Sequence, residues 1–203
     1  MIHFYKRSDE ETPCDVFPGF RVADSRELTT IMELRSVLYH STFGYHGIDV
    51  HDRDSVHWVA CLEGRIVAAL RLVGPTPVPL EIERFASLQD MFGPGVRLMQ
   101  VGGFWLAPAY RRLTKATVGV ALRLLDKAVQ FATRLEVAVL VLRTTKPLTK
   151  WYASLGFQRL CSLDYIDPAY GAVFTMCRVL DPAAVRHALL LHPNDPYSAD
   201  AKG

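Results

Sequence analysis

The sequence predicts one α/β domain in which helices cover both faces of a mixed sheet. Residues 137–142 form an unbroken apolar run, which is typical of a strand that is buried on both faces of a parallel pair. Two apolar runs on either side of Glu63-Gly64-Arg65 predict an antiparallel hairpin. An apolar stripe at helical spacing between residues 118 and 132 predicts a long amphipathic helix. Strands interleaved with helices are typical of the layered α/β class.

The first predicted helix begins at Asp24, because Asp24 and Glu27 have the spacing of a capping box. A strong strand is predicted at 98–106, and it ends before Pro108, which lacks a backbone N–H. The other segments follow from apolar periodicity and turn residues: a loop at 40–55, hairpin strands at 56–62 and 66–73, a connector with three prolines at 74–79, a short strand or helix start at 80–86, a glycine-rich turn at 92–95, a helix from Pro147 to Gly156, strands at 157–163 and 173–180, and a final helix at 181–191.

Composition restricts the class of protein and its partners. The 203 residues are 50% hydrophobic and 22% charged, as in a globular chain, and the net charge of +2 gives no support to a nucleic-acid partner. The four cysteines lack metal-ligand spacing, so we expect reduced thiols, no metal site and a cytoplasmic location. No apolar run approaches the roughly 20 residues of a transmembrane helix. We expect a lead-in segment at 1–20, the domain at 21–191 and a disordered tail at 192–203.

A basic loop lies between the strand at 98–106 and the long helix. Its cationic residues are Arg111, Arg112 and Lys115. Ligands of α/β sheets bind beyond the carboxyl ends of strands, and the free N–H groups of a helix N-terminus attract anions. The loop therefore predicts a phosphate site, with solvated surface charges as the alternative.

A second motif follows in the chain, where Tyr152 lies on a short helix that ends at Gly156-Phe157. With the Leu-Ala-Pro-Ala-Tyr-Arg-Arg step at 106–112, this pattern resembles the GNAT superfamily of acyltransferases over roughly residues 28–180. The resemblance implies a bulged strand at 101–106 that splays from its parallel neighbour. It also implies direct transfer of an acyl group from a thioester to a primary amine of an amino acid, peptide or small amine.

The resemblance also implies where the donor binds. Backbone amides of the bulged strand would hold the pantetheine arm, and the loop after it would hold pyrophosphate; the residues concerned are Phe104, Trp105, Leu106, Arg111, Arg112, Lys115, Ala116 and Thr117. Lys115 and Thr117 stand where the family has small residues that let phosphate approach the backbone. The co-substrate is therefore acyl-coenzyme A or an acylated carrier protein, with no permanently bound cofactor. A non-catalytic thioester-binding partner protein is the alternative function, and the oligomeric state is left open.

Two catalytic roles follow from the same resemblance. Tyr152 matches the tyrosine that protonates the departing thiolate, with packing beneath the last strand as its structural alternative. The amine needs a base, for which Glu81 and Glu83 are candidates, and Glu83 is preferred. If the segment is a strand, only one of the two carboxylates faces inward. The structural alternative is two surface glutamates that flank Arg84, and His57 is a further candidate base.

A narrower resemblance is to long-chain N-acyl amino acid synthases and acyl-homoserine-lactone synthases. It is carried by residues between positions 34 and 73, namely Arg35, Phe43, Tyr45, Asp49, Asp52, Asp54 and Arg71. Those relatives carry a Glu-x-x-Arg motif on the bulged strand, whereas here the motif lies earlier, at Glu81 to Arg84, and the strand has Gln100 and Gly103. An autoinducer synthase is therefore not expected. Gly102 and Gly103 either open room for a longer acyl chain or permit the bulge.

Overall fold

The computed structural model describes residues 19–44, 47–75, 79–84, 87–111 and 115–191. The strands are β1 (Gly19–Val22), β2 (Val56–Leu62), β3 (Arg65–Val73), β4 (Leu98–Leu106), β5 (Val139–Thr145), β6 (Gln158–Arg159), β7 (Tyr165–Asp167) and β8 (Gly171–Val179). The helices are α1 (Ser25–Phe43), α2 (Leu88–Phe92), α3 (Lys115–Arg134), α4 (Lys146–Ser154) and α5 (Pro182–Leu191). Three 3-10 turns lie at Glu81–Arg84, Pro108–Tyr110 and Cys161–Leu163.

The strands form one mixed sheet in the order β1-β2-β3-β4-β5-β8-β6, with β7 also paired to β8. Strands β4 and β5 are parallel, and the other recorded pairs are antiparallel. This arrangement confirms the predicted α/β class with a mixed central sheet. No helix of the described segments is long and apolar enough to cross a membrane.

The start of α1 confirms the predicted capping box. The Asp24 side chain accepts hydrogen bonds from the amides of Arg26 and Glu27, both at 2.9 Å, and the Glu27 carboxylate accepts from the Asp24 amide at 3.1 Å. The helix runs four residues into the predicted loop, to Phe43, and is followed by Gly44, whose φ of +77° is readily adopted by glycine.

Several element boundaries differ from the predictions. Residues Gly19–Val22 form an edge strand on β2, part of it within the predicted lead-in segment, because their backbone pairs with residues 58–61. Helix α2 lies between the segment predicted at 80–86 and the turn predicted at 92–95, where no element was expected, and Ser87 caps it. Strand β5 runs to Thr145 rather than 142, because β8 pairs with its polar end. The predicted tail at 192–203 lies outside the described residues.

The two faces of the sheet carry different layers. Helices α3 and α4 pack on one face, the α3 face, against side chains that include Met99, Val101, Leu140 and Leu142. Helices α1 and α2 cover the opposite face, the α1 face. Alternate residues of the same strands, such as Leu98, Val139 and Val141, point to that side because strand side chains alternate.

Candidate active site

Strands β4 and β5 are paired at one end and separate at the other. Their register runs from Leu98↔Val139 to Val101↔Leu142, and no pairing between the two continues among the described residues, although both strands do. On the β3 side of β4, Ala69 pairs with Trp105 and Arg71 with Gly102, so that two β4 residues lie opposite one β3 residue. This irregularity is a β-bulge, and Gly103 within it has a φ of +57°. The splayed parallel pair predicted for the sheet is thus confirmed, and it creates a gap.

An aromatic row lines the α3 face of this gap. Phe104 on β4 contacts Trp151 on α4, with ring centroids 6.5 Å apart. The ring centroids of Trp151 and Tyr152 are 4.7 Å apart, and those of Tyr152 and Phe157 are 5.7 Å apart. Tyr152 is buried, and this burial, followed by the influence of Tyr39, raises the pKa of its phenol above the ordinary value. The hydroxyl therefore stays protonated at neutral pH and has a proton to donate.

The α1 face carries a network of six charged side chains and one amide, which we call the charge cluster. Its members are Arg35, Asp49, Asp52, Arg71, Glu81, Gln100 and Arg143. Arg71 lies at its centre and donates to both oxygens of Asp49, at 2.7 and 2.9 Å, and to Asp52 at 2.8 Å. A charged side chain in a sheet core needs such partners, because an unpaired buried charge is strongly destabilising.

The inner end of the charge cluster is almost completely buried. Asp52 is fully buried and forms ion pairs with Arg35 and Arg71. Burial alone would raise the pKa of Asp52, but the contact with Arg35 and the charge of Arg71 hold it below its ordinary value. His57 contacts the Asp52 carbonyl oxygen at 2.9 Å. Burial, helped by the two arginines, lowers the pKa of His57, so its ring is neutral at pH 7.

Some donors at this inner end have no acceptor. The Nε and Nη1 atoms of Arg35 and the Nε of Arg71 lack a hydrogen-bond partner within the described segments. Gly103 adjoins them: a Cβ at this position would lie 2.5 Å from Arg35 Nη1 and 3.2 Å from the Arg71 Cβ. The space above the glycine is therefore filled by arginine side chains. Of the two predicted uses of Gly103, the structure favours support of the bulge over room for an acyl chain.

The outer end of the charge cluster is partly exposed. Glu81 accepts from Gln100 at 3.1 Å and from Arg71 at 3.4 Å, and it forms an ion pair with Arg143. Arg143 also donates to the Tyr165 hydroxyl at 2.6 Å. Arg143 follows directly after Leu142, the last β5 residue that pairs with β4. The outer end thus borders the gap on the α1 face.

Tyr39 of α1 is a further tyrosine, and its pKa depends on the charge cluster. Burial raises the pKa of Tyr39, which also senses the charges of Arg35, Arg71, Glu81 and Arg143. The same hydroxyl affects the pKa of Tyr152. Tyr39 therefore lies within electrostatic range of both Tyr152 and the charge cluster.

The predicted donor-binding residues lie on the splayed half of β4 and beyond it. Phe104 and Leu106 pack on the α3 face, while Trp105 is buried beside α1. Arg111 is exposed and donates from Nε to the Leu106 carbonyl at 2.8 Å. Lys115, Ala116 and Thr117 form the first turn of α3, whose first amides lack helical partners. Arg112 lies outside the described residues.

The side chains of the two candidate bases, Glu81 and Glu83, lie in different parts of the structure. The Glu83 carboxylate accepts from the Leu80 amide at 2.8 Å and lines a surface cavity with Arg97 and Leu98, at the paired end of β4. Glu81 instead joins the charge cluster beside the gap. The strand alternation used to choose Glu83 does not apply, because the segment is a 3-10 turn. Sequence reasoning missed Arg143 and Tyr165, since no local motif marks them.

Comparisons with known proteins agree with this architecture. A family model described as the acetyltransferase (GNAT) family matches residues 22–157. A search of curated proteins finds no match. Among solved structures, an acyl-CoA N-acyltransferase from Pseudomonas aeruginosa is 20% identical with a TM-score of 0.60, covering 80% of this chain and 99% of the other.

Two further solved structures share the fold. FeeM, an N-acyl amino acid synthase from uncultured soil microbes, is 14% identical with a TM-score of 0.67, covering 86% of this chain and 95% of its own. The yncA protein from Salmonella typhimurium, solved with acetyl-CoA, is 16% identical with a TM-score of 0.56, covering 82% of this chain and 95% of its own.

Proposed function

Because the chain belongs to the acetyltransferase (GNAT) family, we propose that it transfers an acyl group from a thioester donor to a primary amine in the gap between β4 and β5. The family uses acyl-coenzyme A, and an acylated carrier protein is the second donor that we propose. The observation that carries this proposal is the loss of pairing after Val101 and Leu142, next to the bulge at Gly103. Where two strands separate, their facing backbone groups no longer pair with each other and can form hydrogen bonds with the amide groups of a pantetheine arm.

The donor enters from the carboxyl end of β4. Phe104, Trp105 and Leu106 supply the strand edge, and Arg111 and the first turn of α3 lie beyond it, where phosphate groups are attracted. The amine nitrogen attacks the thioester carbonyl and forms a C–N bond. The tetrahedral oxyanion is stabilised by a β4 amide. The C–S bond then breaks, and the sulfur takes a proton.

Tyr152 is the proton donor for the leaving sulfur. Its phenol is buried within the aromatic row and protonated at neutral pH. Glu81 does not act as the base in this proposal, because Arg71, Gln100 and Arg143 already bind its oxygens. The proton of the amine passes instead to solvent water.

Calorimetric titration tests the proposal most directly. We expect at least one of acetyl-, octanoyl- or palmitoyl-coenzyme A, or the same acyl groups on a carrier protein, to bind with one site per chain. The donor that binds should also be consumed when a panel of amines is added. Failure of every thioester to bind would contradict the proposed function, whatever the acceptor.

A further inference from the structure

We propose that the surface cavity beside Glu83 binds a small organic cation, and that this cation acts on the gap through the turn at Glu81–Arg84. The cavity borders Leu98 at the paired end of β4, five residues before Gly103. Because a strand rises about 3.3 Å per residue, the cavity lies roughly 16 Å from the bulge. The cation site is therefore separate from the gap, and it does not depend on acyl transfer.

The cavity has the size and the lining of a small-molecule site. Its volume is about 640 Å³, within the roughly 300–1,000 Å³ that is usual for ligand pockets. The apolar part of its wall is formed by Pro75, Pro79, Leu80, Val96 and Leu98. Gln89 fixes one side of this wall, because its side chain donates to the Val96 carbonyl at 3.2 Å and accepts from the Gly95 amide at 2.9 Å. A wall held in this way is preformed for a ligand.

Glu83 gives the cavity a negative charge. Its Oε2 atom accepts from the Leu80 amide at 2.8 Å, but no cation of the described segments forms an ion pair with this carboxylate. Arg97, which also lines the cavity, pairs with Glu136 instead. A carboxylate beside an apolar wall favours a ligand that has an ammonium group and an apolar body, since a charge-assisted hydrogen bond is stronger than a neutral one.

The 3-10 turn connects the cavity to the charge cluster. Glu83 lines the cavity, whereas Glu81, two residues earlier, pairs with Arg143 beside the gap. Between them Ile82 is buried, and its amide donates to Gln100 at 3.1 Å. The cavity and the open gap thus occur together in one conformation of the turn. A ligand that fills the cavity favours this conformation, because binding shifts a population towards the state that binds.

N,N-Dimethylbenzylamine is a suitable probe for the cavity. This tertiary amine is protonated at neutral pH and has one N–H to donate to Glu83. Once deprotonated it has no N–H left to replace by an acyl group, so it is not an acceptor. We expect calorimetry to show one site per chain. Phenylacetate and benzyl methyl ether, its anionic and neutral counterparts, should bind at least about tenfold more weakly.

Substitutions at the cavity test which charge holds the probe. Glu83→Gln keeps an acceptor for the Leu80 amide but removes the charge, so it should weaken binding of the amine by at least about tenfold. Arg97→Gln releases Glu136 and makes the cavity more negative, so it should tighten binding. Glu63→Gln, in the exposed turn between β2 and β3, is the control and should change nothing. Undiminished binding in Glu83→Gln, or weaker binding in Arg97→Gln, would overturn the cation site.

The link to the charge cluster has a readout that needs no thioester. Hydrogen exchange at the Ile82 amide should slow when the amine binds, because this amide is bonded to Gln100 within the stabilised turn. Unchanged exchange at Ile82 would overturn the link.

The effect on the gap is measured by titrating the amine and the thioester in both orders. Coupling of binding is reciprocal, so each ligand should tighten the other by the same factor, about fivefold or more. Independent binding of the two would overturn the action on the gap. The amine is also titrated alone, so failure of every thioester to bind reports on the proposed function and leaves the cation site standing.

Discussion

Arg35 occupies the space that a side chain at Gly103 would need. The two residues are far apart in the sequence, yet a Cβ on Gly103 would lie 2.5 Å from Arg35 Nη1. Gly103 also has a φ of +57°, which L side chains rarely adopt. The bulge therefore needs glycine at position 103, because both the backbone conformation and the neighbouring Arg35 disfavour a side chain there.

Gly103→Ala should impair acyl transfer and stability through contact with Arg35. In an Arg35→Lys background, which lacks the guanidinium nitrogen that collides, the same change should cost less, with a coupling free energy of about 1 kcal/mol or more. The backbone strain of alanine at position 103 is present in both backgrounds, so it cancels in the coupling free energy. Urea unfolding and donor affinity measured on the four variants of this cycle provide the test.

Gly102→Ala is the matched control for that cycle. A Cβ at Gly102 would lie 3.9 Å from the nearest atoms of Arg71 and Gln100, which is ordinary contact. It should therefore leave unfolding and donor binding nearly unchanged. Additive effects of Gly103→Ala and Arg35→Lys would show that the two residues do not interact as described.

Tyr152→Phe should lower kcat by about 100-fold or more, in the range usual for loss of a general acid. Donor affinity should change little, because the ring and its contacts with Trp151 and Phe157 are kept. Single-turnover kinetics and calorimetry on the same preparation separate the two quantities. Tyr110→Phe is the control, since Tyr110 packs against the same core. Unchanged turnover in Tyr152→Phe would reduce Tyr152 to a packing role.

Asp52→Asn should destabilise the fold by about 3–5 kcal/mol, because it leaves the buried arginines Arg35 and Arg71 without their shared carboxylate. The comparison is Asp164→Asn, which breaks a pair with the half-exposed Arg159 and should cost much less, because solvent screens an exposed ion pair. Denaturant midpoints measure both. Equal losses in the two variants would contradict the importance of the inner charge cluster.

His57 should make the free energy of unfolding depend on pH below neutrality. Its pKa is lowered in the folded state, so the unfolded chain takes up the proton more readily as pH falls below about 6.5. The contribution of neutral His57 to the free energy of unfolding is thus fully present above that pH. It is lost as the pH falls towards the lower pKa that His57 has in the folded protein.

Urea titrations at pH 7.5, 6.5 and 5.5 measure this dependence. His57→Gln, which keeps a side-chain donor for the Asp52 carbonyl, should show a smaller loss of stability between pH 6.5 and 5.5. Asp52, whose pKa is also lowered, affects stability only in more acid solution. If the free energy of unfolding fell equally with pH in the unmodified protein and in His57→Gln, His57 would not be the cause of the pH dependence.

Local patterns in the sequence predicted much of the scaffold. Strand β4 has the predicted bounds, Leu98–Leu106, because its apolar run ends in Ala107-Pro108. The capping box of α1 and the hairpin of β2 and β3 were equally readable, since each depends on residues a few positions apart. Resemblance also singled out Arg35, Asp49, Asp52 and Arg71, although not how they pair.

The sequence by itself determined the order of the elements, the glycines of β4 and the position of Tyr152 on α4. Only the tertiary structure decided which carboxylate lies beside the gap: Glu81 pairs with Arg143, which is 62 residues away. The reason is physical. Hydrophobic periodicity and capping act between near neighbours along the chain, whereas a buried charge takes whichever opposite charge the packed helices and strands place within hydrogen-bond distance.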